Sequence, residues 1–148
     1  MSKEIRERFG VLIRPSGRFE IVQLGVEGGD KTLLEELDTY FDGTVEYVRN
    51  AEQLAFVTRE GAFDEGLTKN EAASFFAGIS VFGDVIVLPK RDGDRQRVRW
   101  GRVEAYKQMV LMDCDWRWYV NYVRNPDKYA GKKEKSVTKI TPILSIIS

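Results

Sequence analysis

Apolar residues along the chain fall into short runs separated by turn residues, the pattern of a small sheet with short helices laid on it. Phe9 to Arg14 and Phe19 to Leu24 are two such runs, and Pro15-Ser16-Gly17 between them has the composition of a hairpin loop. After the polar break Glu27-Gly28-Gly29-Asp30 the period changes. Thr32-Leu33-Leu34-Glu35 has the form of a capping box, and Leu33, Leu34, Leu37 and Phe41 follow at helical spacing. Asp42-Gly43 then predicts a stop, with the glycine in the left-handed conformation that closes a helix. Thr44 to Arg49 alternates, and Leu54 to Thr58 is a compact apolar run, which together predict a second hairpin. Thr68-Lys69-Asn70-Glu71 repeats the capping-box pattern ahead of Ala72, Phe75, Phe76 and Ile79, so a second short helix is expected there.

Asp84 to Leu88 predicts a buried strand, and the Asp92-Gly93 dipeptide predicts a turn into a returning strand over Arg95 to Trp100. On that strand Arg95, Arg97 and Arg99 share one face while Val98 and Trp100 share the other. Two helical segments follow. In the first, Arg102 to Met112, the apolar positions are Val103, Tyr106, Met109 and Val110. In the second, Trp116 to Arg124, one face holds Trp116, Tyr119, Val120 and Val123, and Trp118 and Tyr122 lie opposite. Asn125-Pro126 ends the second. The chain closes on the basic Lys132-Lys133-Glu134-Lys135 and an apolar stretch from Ile140 to Ile147, expected to pack as a strand or to mediate self-association into a homo-oligomer.

The pattern predicts an α+β fold: a mainly antiparallel sheet built from hairpins, short amphipathic helices packed on it, and a helical C-terminal extension. At 148 residues one domain is expected over 1–148, with an α+β core at 9–90, a basic strand and helices at 91–131 and a tail at 132–148. Because 31% of residues are charged and no run approaches the roughly 20 apolar residues of a spanning helix, no transmembrane segment is expected. A charged start and a single cysteine fit the cytoplasm.

Net charge is zero, but unevenly built. Residues 1–90 carry 10 Lys/Arg against 16 Asp/Glu, and residues 91–148 carry 13 against 7. A basic back half can neutralise the acidic front or face an anionic partner.

Several chemistries are closed by composition. The chain has no histidine, which removes Ser-His-Asp and Cys-His catalysis and histidine-ligated zinc. Cys114 is flanked by Asp113 and Asp115, the opposite of the electropositive surroundings that a nucleophilic thiolate needs. Gly28-Gly29 matches neither a phosphate loop nor a dinucleotide fingerprint. What stays open to an enzyme is carboxylate chemistry with Mg²⁺, for which Asp64-Glu65 and Asp113/Asp115 are the candidates. Neither a cofactor nor a resident metal is expected.

The constellation that stands out is cationic and aromatic. Arg95, Arg97, Arg99 and Arg102, then Trp118, Tyr122 and Arg124, combine guanidinium forks with ring faces, the residue types that dominate binding hot spots and nucleic-acid grooves.

Residues 9 to 88 also resemble a family of short phage and plasmid proteins catalogued as domain of unknown function 3846. The likeness is carried by Phe9 to Leu24, the helix Leu33 to Phe41, Gly43-Thr44-Val45-Glu46-Tyr47-Val48, Leu54 to Thr58 and Gly83-Asp84-Val85-Ile86-Val87. It implies a mobile-element setting and no mechanism. The expectation is a non-enzymatic accessory protein that binds and modulates a host macromolecule, foremost a host protein, in host takeover or anti-defence. The alternatives are a nucleic-acid-binding protein using the basic, aromatic C-terminal half, and a carboxylate/Mg²⁺ enzyme.

Overall fold

Runs that read as continuously apolar do so because three strands are buried on both faces. A computed structural model describes residues 6–50, 54–90 and 99–125. β1 (Glu7–Ile13) and β2 (Phe19–Val26) form one hairpin, β3 (Val45–Asn50) and β4 (Leu54–Arg59) form another, and β5 (Val85–Pro89) inserts between them. The order is β2-β1-β5-β4-β3, every pair antiparallel.

Alternation then sorts the side chains. Val11, Ile13, Phe56, Val85 and Val87 face one way, where α2 (Glu71–Ala77) and α3 (Arg102–Arg124) pack through Ala72, Phe76 and Met112. Leu12, Val57, Ile86 and Leu88 face the other way, against Leu37 and Phe41 of α1 (Leu33–Phe41). The α+β architecture is therefore three layers deep, with the sheet in the middle.

Local signals and structure agree at α1 and part at its end. Thr32 and Glu35 form the expected reciprocal cap. The left-handed residue, however, is Asp42 (φ 52°), whose N–H reaches back to the carbonyls of Asp38 and Thr39, and Gly43 is not needed for that role. At α2 the cap is Asn70 rather than Thr68: its Oδ1 accepts the N–H of Ala73 at 3.0 Å. Gly78 (φ 76°) closes this helix, leaving Ile79 outside it and exposed.

The two expected C-terminal helices are one helix of 23 residues. Nothing between Met112 and Trp116 breaks it, because Asp113 spends its carboxylate on Arg117 one turn later instead of capping a new start. Its inner stripe is Ala105 and Met112, fully buried, with Met109 and Trp116 partly buried beside them, so Val103 and Tyr106 are more than half exposed. Val123, expected on the inner face of the second segment, is exposed as well. The returning strand is represented by Trp100, which bridges to Phe9; its earlier part and the tail at 132–148 lie outside the described residues.

Asn70 is fully buried, and besides capping α2 its Nδ2 donates to the carbonyls of Ile13 and Gly83, both at 2.8 Å. Asn70→Ala strands one N–H and two carbonyls in the interior and is expected to cost about 3 kcal/mol or more. Thr68→Ala, at the position the sequence pattern marks as the cap, should stay within about 0.5 kcal/mol. Urea midpoints of the two variants check this, and equal shifts would refute the assignment of the cap.

Candidate functional site

α1 has nine residues, roughly 13 Å of helix, whereas β1 and β2 have seven and eight, roughly 25 Å of strand. The helix covers one end of its sheet face and leaves the other as an open groove of about 670 Å³. Ala55 and Leu88 form its floor; Arg8, Lys31, Lys90, Arg99, Leu34 and Tyr47 stand around it. The glycine turn at its rim is shaped by Gly28, at φ 78°, which brings the N–H of Gly29 back to the carbonyl of Val26.

Strand parity aims two arginines into this groove. Phe9 and Trp100 pair across the end of the sheet, with the Phe9 N–H on the Trp100 carbonyl at 3.0 Å; Trp100 packs against the α3-side core, and the Phe9 ring lies under Arg102 at the start of α3. Their neighbours Arg8 and Arg99 must then point to the α1 side. Arg8 donates from Nε to the carbonyl of Leu24 (3.0 Å) and from Nη2 to that of Lys31 (3.2 Å), and Arg99 donates from Nη1 to the carbonyl of Glu7 (2.9 Å).

Carbonyls hold a guanidinium in place without cancelling its charge, and each arginine keeps most of its five donors. Among the described residues none of Arg8, Lys31, Lys90 and Arg99 is ion-paired with a carboxylate. Glu27 also lines the groove, but it is bridged to Arg6 at 3.4 Å. The positive end of α1 is closed by its own cap: the Thr32 backbone N–H, with its hydroxyl, holds the Glu35 carboxyl below the usual carboxylate range. The groove's cationic character comes from side chains rather than from the helix.

The residues singled out by sequence are dispersed. Arg99 is in the groove. Arg102 lies over the Phe9 ring at 5.0 Å, at the start of α3 on the opposite side of the sheet. Trp118 and Tyr122 stack on each other along α3 at 5.4 Å, both half-buried. Arg124 lines a separate shallow cleft with Arg18, Trp116 and Arg117, where Asp113 engages Arg117 and Glu20 draws Arg18. Arg95 and Arg97 fall outside the described residues. Sequence reasoning missed Arg8, Lys31, Lys90 and Tyr47. Arg8 could have been found by parity, since it precedes the buried Phe9 on a strand.

The acidic residues named by sequence are set apart or engaged with arginines. Asp113 and Asp115 are two residues apart on one helix and point to different sides of it, the first to Arg117 and the second buried. Glu65 is bridged to Arg59. Among the described residues no three potential ligands cluster, and no helix is long and apolar enough to cross a membrane.

At the far end of the sheet Arg14 bridges Glu20 (2.5 Å) and Asp84 (3.4 Å), and the Tyr40 hydroxyl donates to Asp84. Burial, then the Asp84 charge, pushes the Tyr40 phenol up. The hydrogen bond from Arg14 holds the Glu20 carboxyl below its ordinary range. A depressed carboxylate stabilises the fold above its unfolded pKa and loses that contribution as pH falls through the folded one. Wild type should therefore exceed Glu20→Gln by at most about 1 kcal/mol at neutral pH, since the partners are 42% and 32% exposed. Thermal melts from neutral to acidic pH should show the gap closing below the ordinary carboxylate range, and a constant gap would discount the pair.

Among solved structures, one titled as the crystal structure of small RNA methyltransferase HEN1 is similar, with a TM-score of 0.50 and 16% identity, covering 76% of this chain. The chain spans 16% of that protein's length, and at this identity the likeness shows the fold alone. No family model and no curated protein matches the chain.

Proposed function

We propose that the chain is a non-enzymatic accessory protein of a phage or plasmid that binds and modulates a host macromolecule in the host cytoplasm. The basic groove is its binding surface. One observation carries this reading: four cations from four separate segments of the chain, Arg8, Lys31, Lys90 and Arg99, line one groove, and among the described residues none of them forms a close ion pair with a carboxylate. Like charges brought together repel, and a fold keeps them together at a cost that an anionic partner removes on binding. The accessory role rests on the resemblance of residues 9 to 88 to phage and plasmid proteins.

Steady-state anisotropy with three labelled probes tests the groove: an oligothymidine strand, a DNA duplex and a poly-glutamate peptide. At least one should bind, with affinity falling as salt is raised from about 50 to 200 mM. The Lys31 carbonyl accepts from Arg8, but neither the Lys31 nor the Lys90 ammonium group is hydrogen-bonded to the described residues, so Lys31→Glu/Lys90→Glu is expected to fold normally and to weaken binding about tenfold or more. Absence of binding to all three at low salt, or binding indifferent to the double reversal, refutes this role for the groove.

A further inference from the structure

We infer that the groove takes a single strand of nucleic acid, phosphates on the cations and a base against the ring of Tyr47. This deepens the reading of the groove as an anion-binding surface and rests on it. Tyr47 stands on β3 opposite Val57, on the same side of the sheet as the groove, and is 49% exposed. Leu34 is 53% exposed at the same rim, and Pro89 adds a further apolar surface beside Lys90.

Charge alone would suit any polyanion, but a ring and apolar surfaces set among the cations do not. Aspartate and glutamate side chains gain from the cations and have no flat apolar group to lay on the tyrosine. A duplex keeps its bases stacked inside, so a ring within a groove cannot reach them. A single strand offers both parts at once, a phosphate per nucleotide and an unstacked base with a π-face. Arg8 and Arg99 fit the first part, because guanidinium forks already fixed by backbone carbonyls lose little freedom when they take a phosphate.

The test compares an oligothymidine strand with an abasic strand of equal length and charge, using the full chain and fluorescence anisotropy. The thymidine strand should bind about fivefold or more tightly. Its log–log salt slope should be about −2 to −3, the value for three or four phosphates on single strands. Tyr47→Leu should abolish the preference for the thymidine strand over the abasic strand, while Tyr47→Phe should keep it; unchanged urea midpoints confirm that both variants fold. If the abasic strand, the duplex or poly-glutamate binds as tightly as thymidine, or if Tyr47→Leu retains the preference, this inference is wrong while the anion-binding groove stands. Failure of every probe removes both.

Discussion

Asn70 is the joint on which the layered packing depends. Its amide group caps α2 with one oxygen and, with one nitrogen, ties the end of β1 at Ile13 to the loop before β5 at Gly83, all without access to water. Buried main-chain groups must be paired, and here three of them from three segments share one side chain. That fixes α2 against the centre of the sheet, so Phe75 and Phe76 stand where α3 arrives: Phe75 stacks on Tyr119 at 4.5 Å and lies 5.7 Å from Trp116. The long helix is positioned by an aromatic cluster that the asparagine indirectly places.

The same layering explains the groove. With α2 and α3 occupying one face, the other is left to α1 alone, and nine residues cannot cover it. The uncovered end is where the glycine turn, the exit of β5 and the return of the chain at Arg99 meet. Cations gathered there come from segments far apart in sequence, which is why a count of charge by halves misplaces them. Arg8, Lys31 and Lys90 belong to the acidic front half, and only Arg99 to the basic back. Neither half is uniform once folded.

Elements governed by short-range rules were legible. The capping box at Thr32 and the apolar runs of β1, β2, β4 and β5 follow from hydrogen bonding and alternation among neighbours. Asn70 was passed over because Thr68 to Glu71 satisfies the same pattern, and only tertiary contacts with Ile13 and Gly83 decide in favour of the asparagine. α3 was split because Asp113 and Asp115 resemble helix-start residues, although an i,i+4 pair serves equally well inside a helix. Its buried face was misread because Val103, Tyr106 and Val110 are apolar yet extend beyond the surface that β1 and β2 offer. Of the groove, only Arg99 was legible; Arg8, Lys31, Lys90 and Tyr47 meet through strand order, which a local pattern does not encode.

Parity connects the legible part to the rest. The alternation that put Arg99 opposite Trp100 needs one further constraint, the bridge from Trp100 to Phe9, to decide which side of the sheet each takes. With Trp100 packed beside Val11 and Met112, Arg99 and Arg8 have one side left to them. A slip of a single residue in that bridge would turn the Arg99 guanidinium toward the core and the Trp100 ring away from it, while Arg8 and Phe9 stay held by the pairing of β1 with β2 and β5. The basic groove is thus held by the hydrophobic core on the far side of the sheet. The same packing that stabilises the fold keeps like charges together where their mutual repulsion would otherwise disperse them.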